Sequence, residues 1–77
     1  MELEHSEHWK RKRKYRKDIA DGYIRYAIIN SNALTDRYRE NTLNAVCRIP
    51  PSGRILKVVF RKLAKDKVKI ITAFWLD

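Results

Sequence analysis

The spacing of apolar residues changes along the chain, and this change predicts the order of its helices and strands. In the first half, apolar residues recur at intervals of three and four, the pattern of a helix with one buried face. These residues are Ala20, Ile24, Ala27 and Ile28. Asp18 is the predicted N-cap of this helix, and the polar run Asn30 to Asn32 is expected to end it.

Beyond Thr42 the apolar spacing becomes two, which is typical of β-strands with one buried face. The predicted strands are Thr42 to Ile49, Arg54 to Lys62 and Val68 to Trp75. Pro50 to Gly53 and Ala64 to Lys67 are the predicted reversals between them, so the strands form an antiparallel meander. The last strand is the most apolar and is expected inside the sheet, whereas Leu34 to Arg39 is expected to add a short edge strand.

A block of positive charge precedes these elements. Residues Lys10 to Lys17 (KRKRKYRK) include seven cations and no anion, in a chain with 18 Lys and Arg against 9 Asp and Glu. Ser6 is positioned to cap a helix that carries this block to about Arg16. We therefore expect one α+β domain over residues 1–77, with two N-terminal helices packed on a three- or four-stranded antiparallel sheet.

Composition narrows the class of protein. A chain of 77 residues with 44% hydrophobic residues fits one small folded domain rather than a disordered segment. Cys47 is the only cysteine, which excludes an internal disulfide and a thiolate zinc site and favours the reducing cytoplasm. The longest apolar stretch, Ile70 to Leu76, is too short to span a bilayer, so we expect no membrane partner. We also expect no metal and no cofactor.

The cationic block predicts a polyanionic partner, because clustered positive charge attracts a phosphate backbone and its mutual repulsion is relieved on binding. Cations at outward-facing strand positions, with Trp75 beside them, would add phosphate contacts and a stacking surface. The predicted nucleic-acid-binding residues are Lys10, Arg11, Arg13, Lys14, Arg48, Lys57, Arg61, Lys69 and Trp75. Two plainer explanations stay open, namely a solvated basic helix and ordinary alternation of polar and apolar strand residues.

Two histidines near the block are candidate acid–base residues. His5 and His8 suit RNA cleavage, in which a base takes the 2′-OH proton and an acid protonates the departing 5′ oxygen. Neighbouring cations would stabilise the crowded phosphorane between these two steps. For His5 the favoured interpretation is a frayed terminus, whereas for His8 the catalytic and structural interpretations both stay open.

The helix that begins near His8 and the final strands together resemble a group of small prokaryotic proteins, the uncharacterised domain family grouped with RelE- and BrnT-like toxins. That family opens with a His followed by Arg four and eight residues later, which His8, Lys12 and Arg16 match with Lys in place of one Arg. It closes with a strand similar to Ile71-Thr72-Ala73-Phe74-Trp75. The resemblance covers residues 5–77 and implies a RelE-like fold, with helices on one face of an antiparallel sheet.

The resemblance also implies a function, because some members of that superfamily are metal-independent ribonuclease toxins opposed by an antitoxin. By position it makes His8, Lys12 and Arg16 the catalytic candidates. The leading hypothesis is an RNA-binding RelE-like domain acting as an endoribonuclease toxin, with RNA preferred over DNA. The alternatives are a non-catalytic nucleic-acid-binding accessory protein and an interaction module for an acidic partner such as an antitoxin.

Overall fold

The structure is a computed structural model that describes residues 1–31, 34–35 and 41–76. Its elements are β1 (Glu2–His5), α1 (Glu7–Lys12), α2 (Asp21–Asn30), β2 (Leu34–Thr35), β3 (Thr42–Ile49), β4 (Arg54–Ala64) and β5 (Lys67–Trp75). The strands form one sheet in the order β1-β5-β4-β3-β2. The α+β class is confirmed, and so is the position of β5 inside the sheet.

The sheet is mixed rather than antiparallel. Strands β2 to β5 pair antiparallel with their neighbours, but β1 lies parallel to β5, with Glu2 opposite Lys67 and His5 opposite Ile70. The expectation of a three- or four-stranded antiparallel sheet is therefore wrong. The N-terminal residues supply a fifth strand, because the single apolar side chain of β1, Leu3, packs against the core while the backbone pairs with β5.

The predicted strands agree closely with the observed ones. Strand β3 has the predicted bounds, whereas β4 extends to Ala64 and β5 begins at Lys67. The predicted edge strand is present as Leu34–Thr35, and the rest of that prediction, residues 36–39, lies outside the described residues. The turn between β3 and β4 contains Gly53 at a φ of 77°, in the left-handed region that glycine adopts most easily.

Both helices pack on the same face of the sheet. Helix α1 contacts β5, and α2 contacts β3 and β4, around one continuous cluster of buried side chains. The fully enclosed apolar residues at its centre are Ile24, Ala27, Ala45, Leu56, Val58, Ile70 and Ala73. Within the described ranges, no helix is long and apolar enough to cross a membrane.

The opposite side of the sheet, which we call the outer face, is not covered by any described element. The strand pairing places on it the residues that alternate with the core positions. They include Thr42, Asn44, Val46 and Arg48 of β3, Ile55, Lys57, Val59 and Arg61 of β4, Lys69, Thr72 and Phe74 of β5, and Glu4 of β1. The outer face therefore mixes aliphatic, aromatic, polar and charged side chains, with cations in the majority among the charged ones.

The basic helix is shorter than the sequence predicts. Ser6 caps α1 as expected, since its Oγ accepts a hydrogen bond from the Trp9 backbone N–H at 3.0 Å, but the helix ends at Lys12 instead of Arg16. Continuing it would stack cations four residues apart along one side, which is unfavourable. The chain instead leaves the helix through tight turns, in which the N–H of Arg16 donates to the carbonyl of Arg13.

Helix α2 starts later than predicted. It begins at Asp21 with Ala20 as its N-cap, and no side-chain hydrogen bond caps it. The prediction that Asp18 caps this helix is therefore wrong. The C-terminus falls at Asn30 as expected. Ile24 and Ala27 are buried as the apolar spacing predicts, whereas Ala20 lies outside the helix and is exposed.

A β-bulge in β5 changes which of its residues face the core. Val59 pairs with Thr72 whereas the next residue of β4, Phe60, pairs with Ile70, so Ile71 is an extra residue in β5. Before the bulge, Ile70 points toward the core, and after it the inward residue is Ala73. The following residues are shifted by one place relative to strict alternation.

The two glycines provide a matched test of this backbone. Gly22→Ala should raise the free energy of unfolding by about 1 kcal/mol, because alanine favours the helix and the added Cβ meets no heavy atom within 4 Å. Gly53→Ala should lower it by about 1–2 kcal/mol, because the left-handed region disfavours a side chain. Urea denaturation measures both, and shifts of the same sign would contradict the assignment.

Candidate nucleic-acid interface

The cationic block Lys10–Lys17, which we call the basic segment, is anchored on the sheet at its start. The Ser6 hydroxyl donates a hydrogen bond to the Ile71 carbonyl at 3.1 Å while it caps α1. One turn later, Trp9 is buried with 1% of its surface exposed. Truncating a buried Trp typically costs about 3–5 kcal/mol, so this contact fixes α1 firmly on the core.

Arg16 anchors the middle of the chain between the two helices. Strand β1 pairs with β5 only as far as Ile70, so the following part of β5 has no strand on that side among the described elements. There the Nη1 of Arg16 donates to the Ala73 carbonyl at 3.0 Å and to Thr72 Oγ1 at 3.3 Å. The guanidinium thus satisfies one backbone carbonyl at this edge of β5 and holds the basic segment beside it.

Asp18 forms a third anchor with the end of β5. One of its carboxylate oxygens, Oδ2, accepts hydrogen bonds from the Trp75 indole Nε1 at 2.9 Å and from Arg54 Nη1 at 3.3 Å. The Arg54 guanidinium lies 4.3 Å from the centroid of the Trp75 ring, and the ring centroids of Trp75 and Tyr23 of α2 are 6.3 Å apart. The carboxylate therefore ties the chain before α2 to the sheet instead of capping α2.

The location of Trp75 differs from the prediction. It pairs with Leu56, an enclosed core residue, so it lies on the helical side of the sheet and not beside the cations of the outer face. The bulge at Ile71 is the reason, because it shifts the residues that follow it by one position. Its indole N–H is bonded to Asp18 and its ring lies under Arg54, so the contacts of Trp75 stabilise the fold.

The basic segment is poorly neutralised. Of its seven cations, Lys10 alone has a carboxylate within 4 Å in the described part of the chain, that of Glu7 at 3.3 Å. Tyr15, in the middle of these cations, exposes 87% of its surface. A depression of about 560 Å³ is lined by His8, Arg11, Lys12, Lys14 and Tyr15. This surface combines uncompensated positive charge with an exposed aromatic ring.

The three predicted catalytic residues are not all brought together. His8 and Lys12, four residues apart on α1, line this depression, but Arg16 does not, because the helix ends before it and its guanidinium is held at the edge of β5. Arg13 and Arg16 instead line a second depression of about 380 Å³, beside Asp21. The expected continuous helical face from His8 to Arg16 is therefore wrong.

His5 is not part of a frayed terminus. It is the last residue of β1, its side chain is 18% exposed, and its Nε2 lies 3.4 Å from Asp21 Oδ2. Its Nδ1 is buried and has no hydrogen-bond partner among the described residues. Because His5 is paired with α2 while His8 lines the depression on α1, the two imidazoles do not form the predicted acid–base pair.

The predicted cations of the sheet do share one face. Arg48, Lys57, Arg61 and Lys69 all lie on the outer face. Arg48 is held by the Gly53 carbonyl, to which its Nη1 donates at 2.7 Å. Lys69 lies 3.9 Å from Glu4 of β1, whereas Lys57 and Arg61 have no carboxylate within 4 Å in the described ranges.

Sequence reasoning missed the aromatic residue of this face. Phe74 lies opposite Lys57, with the Lys57 Nζ 5.9 Å from the centre of its ring and the Arg16 guanidinium carbon also at 5.9 Å. Strict alternation would place Phe74 toward the core. The signal that finds it is the one-residue shift in pairing at the bulge, which only the structure gives.

Among the described residues, no three His, Cys, Asp or Glu side chains form a group that could hold a metal ion. No protein-family model, curated protein or solved structure matches the chain. The resemblance to the RelE- and BrnT-like group therefore stays a prediction, and the function has to be argued from the surface itself.

Limited proteolysis tests the anchoring of the basic segment. Arg16→Ala removes both hydrogen bonds to β5, so trypsin should cleave after the neighbouring Arg13 and Lys17 several times faster in the native protein. Lys14→Ala is the matched control, because it also removes one cleavable cation but no hydrogen bond to the sheet. Equal cleavage rates in the two variants would show that Arg16 does not hold the segment.

Proposed function

We propose that this chain is a small RNA-binding domain that neutralises phosphates with the basic segment. The observation that carries the proposal is that a nearly unpaired run of cations is fixed on a folded core by Ser6, Trp9 and Arg16. A charge run that served only solubility would not need this anchoring. The fixed cations repel one another, and a bound polyanion relieves that repulsion.

The neighbouring surfaces support a nucleic acid over other polyanions. Tyr15 offers a ring for stacking among the cations. Lys57 and Arg61, which have no carboxylate partner in the described ranges, extend the positive charge onto the outer face. Phosphate groups pair with Lys and Arg, and exposed rings stack with bases. We propose RNA over DNA as the ligand because the sequence resembles RelE-like proteins. A RelE-like fold, with helices on one face of the sheet, is part of the same proposal.

A second candidate is endoribonuclease activity, which the depression on α1 favours. There His8 is exposed beside Lys12 and Arg11, so its imidazole can reach a bound 2′-OH while the cations stabilise the phosphorane. The reaction moves the 2′-OH proton to the imidazole and forms a bond from the 2′ oxygen to phosphorus. The bond from phosphorus to the 5′ oxygen then breaks, and that oxygen takes the proton from the imidazolium, which restores the neutral imidazole. Without Arg16 in the depression, non-catalytic binding remains the better-supported function.

The same cations suit an acidic protein, and an antitoxin in the cytoplasm is the partner of this kind that the resemblance suggests. Free Cys47 fits that compartment, since thiols stay reduced there. An acidic partner would occupy the basic segment and compete with RNA. Co-purification of the untagged chain with the product of a neighbouring reading frame tests this partner, and displacement of RNA by that product would place both on one surface.

Salt dependence of RNA binding tests the main proposal. The affinity for a single-stranded RNA should fall steeply with salt, and Arg11→Gln/Lys14→Gln should lower the log–log slope by roughly 1.4, or about 0.7 for each lost phosphate contact. Lys62→Gln/Lys65→Gln is the matched control, since it removes two exposed cations at the far end of β4. A protein that makes several phosphate contacts typically loses roughly 10³-fold in affinity between 50 and 200 mM salt. An RNA affinity that does not change over this range would exclude the proposal.

Cleavage assays test the second candidate. If His8 is an acid–base residue, His8→Ala should lower the cleavage rate by about 10²–10⁴-fold while RNA affinity stays nearly unchanged. His5→Ala is the control, because it removes an imidazole that does not line the depression. A wild-type protein that is inert on free RNA and on translating ribosomes would exclude catalysis and leave binding as the function.

A further inference from the structure

The bulge in β5 gives the outer face its one aromatic ring among the described residues. If the residues of β5 alternated strictly from Ile70 onward, Thr72 and Phe74 would follow it on the inward side. With Ile71 as an extra residue, Phe74 pairs with Lys57 on the outer face and remains partly exposed. Bulges often redirect a side chain next to a functional site, so the surroundings of this ring are informative.

Two cations flank Phe74 from different parts of the chain. Lys57 comes from the neighbouring strand and Arg16 from the basic segment, each 5.9 Å from the ring centre. Arg16 uses its Nη1 for both bonds to β5, and its remaining N–H groups form no hydrogen bond with the described residues. The ring therefore lies between donors that can bind the phosphates on either side of a base.

We propose that Phe74 is a stacking platform for an unpaired base of single-stranded RNA, with Arg16 and Lys57 binding the adjoining phosphates. This inference rests on the proposed function and names the part of the chain that reads the base. The strand would run from the depression beside Tyr15, over the edge of β5 at Arg16, and onto the outer face.

A single strand fits this surface better than a duplex does. In a duplex the faces of the bases are stacked on one another, so a protein ring cannot reach them without unstacking. No described element covers the outer face around Phe74, so an extended strand could lie there with its bases turned toward the protein. The phosphates would then follow Arg16, Lys57 and Arg61, which have no carboxylate within 4 Å among the described residues.

Charge also separates this occupant from a second copy of the chain. Pairing two outer faces would bring Lys57 and Arg61 of one copy against the same cations of the other, which is repulsive. The carboxylate of Glu4 in β1 lies within 4 Å of Lys67 and Lys69 of its own chain, so it is already paired and does not offset the charge of Lys57 and Arg61. The outer face is therefore complementary to an anionic partner and not to a second copy.

Variants at Phe74 test the inference. Phe74→Leu keeps an apolar side chain but removes the ring, so affinity for single-stranded RNA should fall about fivefold or more, since losing a base–aromatic stack costs roughly 1–3 kcal/mol. Phe74→Tyr keeps the ring and should stay within about twofold of the wild type. Ile29→Ala is the control, because it removes an exposed apolar side chain of α2, which packs on the opposite face of the sheet. Circular dichroism establishes that all three are folded.

A second measurement locates the stacked base. Each nucleotide of the RNA is replaced in turn with an abasic site. At one position this replacement should lower the affinity of the wild type, whereas Phe74→Leu should bind the abasic and the intact RNA equally well. Unchanged RNA affinity in Phe74→Leu would overturn the inference and leave the proposed function intact. The inference would also be overturned if Phe74→Leu lowered self-association of the protein and left the RNA affinity unchanged, because the ring would then belong to a protein interface. Absence of RNA binding by the wild type would instead refute the proposed function itself.

Discussion

The hydroxyl of Ser6 joins the helical layer of this protein to its sheet. It accepts the N–H of Trp9 to start α1, and it donates to the carbonyl of Ile71 in β5. The backbone N–H of Ser6 also donates to Ile70, which continues the parallel pairing of β1 by one residue. Because these bonds fix where α1 begins, they also fix the direction in which the cations that follow must leave the core.

This attachment explains how a compact domain tolerates its concentrated positive charge. The repulsion among the seven cations of the basic segment acts against order, but the buried side chains of Trp9 and Ile19 hold the chain on both sides of them. Arg16 adds a separate benefit, since it bonds the carbonyl of Ala73 at an edge of β5 that would otherwise invite another strand. One cation of the segment thus stabilises the sheet, and the others stay exposed.

Local patterns in the sequence predicted the elements whose structure depends on neighbouring residues. The bounds of β3 follow from strict alternation between two clear turn signals, and the end of α2 follows from its polar run. Strand β1 was not foreseen, because four residues with one inward apolar side chain give almost no periodic signal. Its partner β5 is more than sixty residues away, so only tertiary pairing reveals it. The contact of Arg16 with β5, which the early end of α1 allows, is likewise a long-range contact that no local pattern indicates.

The bulge at Ile71 shows why the candidate site was harder to predict than the fold. Residues 70–76 are almost uniformly apolar, so no alternation within them marks which side chains are buried. A single inserted residue therefore decides which large ring lies on the helical side of the sheet and which lies on the outer face. Trp75 joins Asp18 and Arg54 on the helical side, and Phe74 comes to lie between Lys57 and Arg16. The position of the aromatic ring proposed to stack on an RNA base thus follows from strand pairing, whereas the charge around it is already visible in the sequence.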